Sequence, residues 1–274
     1  MKIAMYAVLA GTLAAGACAT LPPPITQDRI AAILSSPDRR PADRTNDLRR
    51  KPAEMLAFIG IRPGWIALDL SAGGGYTTEL LARSVGPTGK VYGQSRPPNP
   101  NAPKPPAPEG AAAASAAPST APRPPPTPSP VALAERAKNP VVSNIVPVIR
   151  PFEDPVPPEI APGTLDLATL MFNYHDLTWL GVDRAAMNRA VFAALKPGGL
   201  FVIADHSAKP GTGASVAGTL HRIEEAFLQK EVEAAGFRLV EQGNFLRNPN
   251  DPRDRNTPEP PQPKDEFVLK FVKP

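Results

Sequence analysis

Apolar runs alternate with helical patterns along most of the chain. Runs of about four to eight apolar residues indicate buried strands, and an apolar period of about 3.6 residues indicates helices. The predicted strands are residues 65–70, 90–93, 146–149, 165–172, 200–204, 237–242 and 267–272, and the predicted helices are 26–58, 77–84, 131–136 and 219–235. Helices between successive strands are typical of a parallel sheet covered on both faces. The sequence therefore predicts an α/β fold: a Rossmann-like, doubly wound, mostly parallel seven-stranded sheet.

The last two predicted strands differ from the others because no helical pattern lies between them. Residues 237–242 and 267–272 are joined by a polar, proline-rich segment. Two strands without a helical crossover favour antiparallel pairing. We therefore expect a C-terminal antiparallel hairpin that closes the sheet.

The first residues have the pattern of an export signal. Met1-Lys2 precede an apolar run over residues 3–15, and small residues then lead to Cys18, the single cysteine. This order predicts a signal peptide over residues 1–17, since the run is too short for a permanent membrane span. Cleavage and lipidation at Cys18, or ordinary cleavage after an Ala-x-Ala pattern, would both give a periplasmic protein, lipid-anchored to the outer membrane in the first case. An uncleaved N-terminal helix is the third alternative.

Residues 95–130 interrupt the folded pattern. Of these 36 residues, 14 are proline, and most of the others are Ala or Ser. Such a composition cannot bury enough apolar surface to form a core. The sequence predicts a tether over residues 18–27 and one domain over residues 28–273, interrupted by a disordered insert at 95–130.

Charge gives little indication of a macromolecular partner. The chain has 30 basic and 26 acidic residues, a formal net charge of +4, and mixes both signs along its length. A nucleic-acid-binding protein usually concentrates basic residues on one face. We therefore expect no nucleic-acid partner.

A glycine-rich turn follows the first predicted strand. It reads Asp69-Leu70-Ser71-Ala72-Gly73-Gly74-Gly75-Tyr76. Glycines at such a turn let a ligand approach the backbone closely. A dinucleotide-binding turn requires small residues at positions 71, 73 and 76, and Tyr76 does not meet that requirement. The pattern of acid, small residue and two spaced glycines resembles the first motif of the class I S-adenosylmethionine-dependent methyltransferases.

The resemblance extends over residues 40–273, apart from the insert. It includes Pro63-Gly64, Val91-Tyr92-Gly93 and the turn and strand at residues 195–203. The ending, with residues 246–249 and 267–271, is similar to a group of exported bacterial methyltransferase-like proteins. The resemblance implies S-adenosylmethionine as cofactor.

The same resemblance implies roles for individual residues. Its cofactor-binding positions are Asp69 at the methionine end, Ser71, Gly73, Gly75 and Tyr76 in the turn, and Phe152, Glu153 and Asp154 beside the adenine. Gln94 and Ser95 stand where most members have an acid that holds the ribose. Neutral groups form weaker hydrogen bonds than a carboxylate, so we expect weaker cofactor binding.

Polar residues follow the fourth and fifth predicted strands. These are Asn173-Tyr174-His175-Asp176 and Asp205-His206. Ligands of open parallel sheets bind beyond the carboxyl ends of the strands. The predicted catalytic residues are therefore His175 as the base that accepts the acceptor's proton, Asp176 orienting it, and Tyr174. Tyr174 or Asn173 would line the methyl pocket, and Asn173 is also a predicted cofactor-binding residue. The alternative is that His175 and Asp176 only cap the following turn.

A divalent metal is a further alternative at these positions. His175, Asp176, Asp205 and His206 are suitable ligand types. Their spacing is not a metal motif, and the sequence predicts no metal. His221 is a candidate substrate contact.

The sequence thus favours a methyltransferase that acts on an unidentified small molecule or exposed side chain. The alternative is a non-catalytic exported module that binds a nucleoside or a protein partner. A nicotinamide-dependent oxidoreductase is disfavoured by Tyr76 and by the absence of an acid near position 94.

Overall fold

The computed structural model describes residues 22–99, 127–256, 258 and 262–274. The described strands are β1 (Ile66–Leu70), β2 (Lys90–Ser95), β3 (Ile145–Ile149), β4 (Leu165–Met171), β5 (Leu195–His206), β6 (Arg238–Gly243) and β7 (Glu266–Val272). The described helices are α1 (Gln27–Ser35), α2 (Pro41–Arg50), α3 (Pro52–Ile59), α4 (Tyr76–Val85), α5 (Ser129–Ala137), α6 (Asp176–Trp179), α7 (Arg184–Ala194), α8 (Ala217–Leu220) and α9 (Glu225–Glu233), and a 3-10 turn spans Pro140–Val142.

Several predictions concern residues outside the described ranges. The signal peptide, Cys18 and residues 100–126 of the insert are among them. Export, lipidation and disorder of the insert therefore stay predictions. Within the described parts of the chain, each helix is too short or too polar to cross a membrane.

All seven strands form one sheet in the order β3-β2-β1-β4-β5-β7-β6. The first five strands in this order pair in parallel, and β7 pairs antiparallel with both β5 and β6. The predicted fold class and the C-terminal antiparallel pair are therefore confirmed. Because β1 and β4 are parallel neighbours, the turns that follow them lie side by side at the carboxyl-terminal edge of the sheet.

The N-terminal pattern forms three helices rather than a continuous one. Thr26 caps α1 by accepting a hydrogen bond from the backbone N of Arg29 at 3.2 Å. Lys51 separates α2 from α3 with a left-handed backbone, φ 43°. Pro52 then begins α3, because proline suits the first helical turn but cannot continue a preceding helix.

The predicted helix over residues 219–235 is broken in the structure. α8 ends at Leu220, the capping residue His221 has a left-handed backbone with φ 50°, and α9 begins only at Glu225. Between them Ile223 pairs with the end of β5, donating to the carbonyl of His206 at 3.0 Å. This pairing holds His221 near the strand ends.

Strand β5 is longer than the predicted residues 200–204, because it begins directly after α7. From Leu200 to His206 it pairs with β7, so that His206 lies opposite Glu266. The core lies on both faces of the sheet, under α1, α3, α4 and α5 on one side and under α7 and α9 on the other.

Replacing Gly75 with alanine should destabilise the fold. Its Cβ would lie 2.7 Å from Leu133 Cδ1 and 2.8 Å from Arg136 Cδ, and its φ is 83°. Overpacking and the left-handed backbone together should cost about 2–4 kcal/mol. Urea unfolding measures the loss.

The matched control for this change is Gly60→Ala. Gly60 has a φ of 69°, but no atom lies within 4 Å of its added Cβ. It should lose only the backbone cost of about 1–2 kcal/mol. Equal losses in the two variants would show that α5 does not require a glycine at position 75.

Candidate functional site

Two clefts meet at the glycine turn. The first, of about 340 Å³, lies beyond the ends of β1, β2 and β4, and Ser71, Gly73 and Ser95 line it. The second, of about 280 Å³, shares Ser71 and Gly73 and extends towards α2, where Arg50 lines it. Together they form a long cleft at the edge of the sheet where open α/β folds bind ligands.

The glycines of the turn have different surroundings. Gly73 has φ 56°, and the nearest atom to a Cβ added there is the Ser71 carbonyl oxygen at 3.9 Å. The space beside Gly73 is therefore open to a ligand. Gly75 packs instead against Leu133 and Arg136 of α5. Gly75 was predicted to contact the cofactor. The structure places it against α5 instead, which leaves no room for a side chain at this position.

An ionic network holds the turn in place. Arg136 of α5 donates through Nε to the carbonyl oxygen of Gly74 at 2.6 Å. Its Nη1 donates to Asp43 of α2 at 2.6 Å and also to Glu79 of α4. One buried guanidinium therefore connects three helices to the turn.

Tyr76 closes the turn on the side of α2. Its hydroxyl donates to Asp47 at 2.7 Å, and burial together with this carboxylate raises the pKa of Tyr76. The Arg50 guanidinium lies 5.3 Å from the centre of its ring. Tyr76 thus joins α2 to the second cleft.

Asp69 lies beneath the cleft. Its carboxylate is 1% exposed and accepts hydrogen bonds from Thr78 at 2.6 Å and Thr169 at 2.7 Å. Burial raises the pKa of Asp69 to about 6, against the opposite effect of the two hydroxyls. Thr78 and Thr169 fix the carboxylate beneath the turn, and Asp69 also lines the second cleft, so its contact with a methionine end stays a prediction.

Gln94 and Ser95 play different parts at the end of β2. The buried Gln94 side chain accepts from the backbone N of Ser71 at 3.0 Å and donates to the carbonyl oxygen of Arg150 at 2.6 Å. It fixes the turn, which corrects its predicted contact with a ribose. Ser95 lines the first cleft, and its Oγ is buried without a hydrogen-bond partner. An unpaired buried hydroxyl costs about 1–3 kcal/mol, so a ligand hydroxyl in the cleft would complete its bonding.

The three residues predicted to contact the adenine have different surroundings in the structure. Phe152 is buried and lines the first cleft. Glu153 accepts a hydrogen bond from the backbone N of Asp183 at 3.2 Å, and the exposed Asp154 pairs with Arg150. Both carboxylates therefore have partners in the protein, and only Phe152 of the three lines this cleft.

His175 lies between two carboxylates. Asp205 Oδ1 is 2.6 Å from its Nδ1, and Asp205 Oδ2 accepts from its backbone N at 2.8 Å. On the other side Asp176 Oδ1 is 3.1 Å from Nε2. Asp205, rather than Asp176, therefore orients the ring through Nδ1, and Asp176 faces Nε2.

These carboxylates determine the charge of His175. Burial disfavours the imidazolium, but the charge of Asp205 and the hydrogen bonds to Asp176 and Asp205 outweigh it and raise the pKa of His175 to about 9. At neutral pH His175 is then protonated, with both ring nitrogens bonded to carboxylates. A raised pKa disfavours the neutral ring that a base requires, and the role of His175 as a base stays a prediction.

Asp176 connects the cluster to the cleft. Its Oδ2 accepts from Asn173 at 2.7 Å, and its Oδ1 accepts from Trp179 Nε1 at 2.8 Å and lies 3.2 Å from His221 Nδ1. Asn173 in turn accepts from the Ser71 hydroxyl at 2.6 Å. The alternative that these side chains only cap a turn does not account for these contacts, because α6 has no side-chain cap.

Two of the polar residues at the strand ends point elsewhere. Tyr174 is fully buried on the other face of the sheet, where its hydroxyl donates to Glu231 and accepts from Asn188, both at 3.0 Å. It does not line the cleft, which corrects its predicted place in a methyl pocket. His206 Nδ1 lies 2.9 Å from Glu266 Oε1, away from Asp176, and burial lowers the pKa of His206.

Comparison with known proteins identifies the fold. No protein-family model matches the chain, and no curated protein sequence is similar to it. Its structure is similar to an S-adenosylmethionine-dependent methyltransferase from Aquifex aeolicus, with a TM-score of 0.55 at 15% identity over 91% of this chain and 100% of that one.

Two further solved structures have the same fold. A putative sarcosine dimethylglycine methyltransferase from Galdieria sulphuraria has a TM-score of 0.54 at 13% identity, covering 90% of this chain and 98% of its own. The [4+2]-cyclase SpnF has a TM-score of 0.53 at 14% identity, covering 85% and 81%. The fold is thus one found in methyltransferases and in a protein described as a cyclase.

The buried Asp69 carboxylate should make stability depend on pH. Its pKa is about 6 in the folded chain and 3.8 in the reference state, so the folded state holds its proton more tightly. The stability of the wild type relative to Asp69→Asn should fall as pH rises from about 4 to about 6, and stay constant above that. Urea unfolding of both proteins across this range measures the difference.

Asp38→Asn is the control, because Arg83 and Asn139 lower the pKa of Asp38 to about 2. Its stability difference from the wild type should be constant above about pH 4 and shrink only at lower pH. If the stability difference between the wild type and Asp69→Asn does not change between about pH 4 and about pH 6, the pKa of Asp69 is not raised.

Proposed function

We propose that this protein binds S-adenosylmethionine in the long cleft and transfers its methyl group to a small molecule or an exposed side chain. The observation that carries the proposal is the open backbone at Gly73, where the two clefts meet. The fold shared with methyltransferases supports it, although a fold alone does not determine function.

The first cleft suits the nucleoside end of the cofactor. Phe152 offers an aromatic surface for the adenine, and the unpartnered Oγ of Ser95 can bond a ribose hydroxyl. A single neutral hydroxyl holds a ribose less tightly than a carboxylate that accepts from two hydroxyls. The residues present therefore fit the nucleoside with modest affinity.

The second cleft suits the carboxylate of the methionine end. The Arg50 Nε is buried without a hydrogen-bond partner. Burial and the neighbouring Arg49 lower the pKa of Arg50, against the opposite effect of Tyr76, Glu266 and Asp69. A ligand carboxylate would supply both the counter-charge and the missing acceptor.

The acceptor would bind beside the polar residues at the strand ends. S-adenosylmethionine supplies an activated methyl group on a positively charged sulfur. Methyl transfer then depends mainly on alignment, and Asn173, Asp176 and Trp179 line the cleft where an acceptor can be aligned. Hydrogen bonds from Asn173 and Trp179 hold the Asp176 carboxylate in a fixed orientation.

A binding module without catalysis is the second candidate. It is favoured by the neutral Ser95 at the ribose position and by His175, both of whose ring nitrogens are engaged by carboxylates. Such a protein would bind S-adenosylmethionine and the demethylated S-adenosylhomocysteine alike but methylate nothing.

Cofactor binding should disappear when the turn is blocked. Calorimetric titration of the wild type with S-adenosylmethionine should show binding, and Gly73→Arg should abolish it by filling the space where the clefts meet. Gly198→Arg is the matched control, because Gly198 also has a positive φ, 77°, and no atom within 4 Å of an added Cβ, but lies near the start of β5, at the other end of the sheet. No heat from the wild type at millimolar ligand would overturn the proposal.

Ser95→Asp should tighten cofactor binding. A carboxylate accepts stronger hydrogen bonds from ribose hydroxyls than a serine does, by about 1 kcal/mol, or about fivefold in affinity. Ser95→Ala should weaken binding severalfold in the same titration. If the aspartate binds no better than the alanine, the ribose does not lie beside position 95.

A further inference from the structure

Three side chains at the acceptor end of the cleft come together from distant parts of the chain. His175 and Asp176 follow β4, and His221 follows α8. Each offers one ligand atom, and the three atoms lie within 4.8 Å of one another. Two imidazoles and one carboxylate form a donor set that binds divalent transition metals.

The separations between these atoms are those of metal ligands. His175 Nε2 lies 3.1 Å and His221 Nδ1 lies 3.2 Å from Asp176 Oδ1. Bonds of about 2.0–2.1 Å at tetrahedral angles place neighbouring ligand atoms about 3.3 Å apart. Two of the three separations therefore match without movement of the chain.

Two further residues, Asp205 and Asn173, bond the proposed ligands in the way that residues around metal sites usually orient their ligands. A ligating histidine commonly donates its other ring N–H to a carboxylate. Asp205, fully buried, occupies this position at 2.6 Å from His175 Nδ1, which leaves Nε2 directed at the cluster. Asn173 donates to Asp176 Oδ2 at 2.7 Å, and Trp179 Nε1 donates to Oδ1 at 2.8 Å, which fixes the carboxylate with Oδ1 also facing the two histidines.

The third ligand is accessible. The His221 side chain is 23% exposed, and its ring stands at 89° to that of His175 with centres 5.6 Å apart. Asp176 also lines the first cleft. An ion held here would therefore have open coordination positions towards the cleft.

The geometry points to a binding site for one divalent transition-metal ion on His175 Nε2, Asp176 and His221. Imidazole ligands favour ions such as Zn²⁺, Co²⁺ or Fe²⁺ over Mg²⁺ and Ca²⁺, which prefer oxygen. The ion takes the place of the direct contact of 3.1 Å between His175 Nε2 and Asp176 Oδ1. The open positions can take an oxygen or nitrogen atom of a molecule bound in the cleft.

The test is direct metal binding by the full chain, purified without a polyhistidine tag and treated with chelator. Titration with Co²⁺, followed by visible absorption, should show one equivalent bound, and Zn²⁺ should displace it. His221→Asn and Asp176→Asn should each weaken Co²⁺ binding by at least about 100-fold, because each removes a ligand. Circular dichroism confirms that the variants are folded.

The structure offers a matched control. His206→Asn removes the histidine whose ring centre lies 5.5 Å from that of His175 but whose Nδ1 faces Glu266. This variant should bind Co²⁺ as the wild type does. Asp205→Asn should keep the stoichiometry and weaken binding about 10–100-fold, the usual effect of losing such a support.

Three outcomes would overturn the metal site: no Co²⁺ or Zn²⁺ binding at millimolar concentration, unchanged binding in folded His221→Asn, or equal losses in His206→Asn and His221→Asn. Calorimetry of the metal-free protein with S-adenosylmethionine separates this result from the proposed function. Cofactor binding without metal binding would contradict only the metal site. Metal binding without cofactor binding would contradict only the proposed methyltransferase.

Discussion

The site depends first on the buried guanidinium of Arg136. It bonds the carbonyl oxygen of Gly74, a carboxylate of α2 and a carboxylate of α4, so three helices and the turn share one charged centre. Removing one partner of a buried ion pair costs about 3–5 kcal/mol, because the other charge is left without compensation. These bonds therefore stabilise the conformation of the turn. Residues of α5 line the first cleft, residues of α2 line the second, and Arg136 connects the two helices.

Asp205 likewise connects separate segments of the chain at the ends of β4 and β5. Its two oxygens bond the ring of His175 and the backbone N of His175 and of His206, which ties the end of β5 to the segment after β4. The pairing of Ile223 with His206 then ties His221 to the same place. The cluster at the acceptor end is thus built on main-chain positions, and its side chains have little freedom to rearrange.

The sequence predicted well those features that depend on local pattern. Alternating strands and helices specify the sheet, and the glycines after residues 66–70 specify the turn. His221 was a candidate substrate contact, but the break in the helix that positions it could not be predicted, because the apolar spacing continues through residues 219–235 as if the helix were unbroken. The break comes from a long-range pairing of Ile223 with β5. Tyr174 was misplaced for a related reason: in the polar run 173–176 its side chain alone turns to the opposite face, where Glu231 and Asn188 bind it.

The charges of the cluster suit a positively charged ligand in the cleft. With His175 protonated, Asp176 and Asp205 leave one net negative charge beside the cleft. A divalent ion in place of that proton would leave the group neutral. In neither state does the cluster repel a sulfonium, whereas an unpaired imidazolium at this position would do so. The carboxylates of Asp176 and Asp205 thus keep this end of the cleft from becoming positive while they orient the nitrogen atoms that face it.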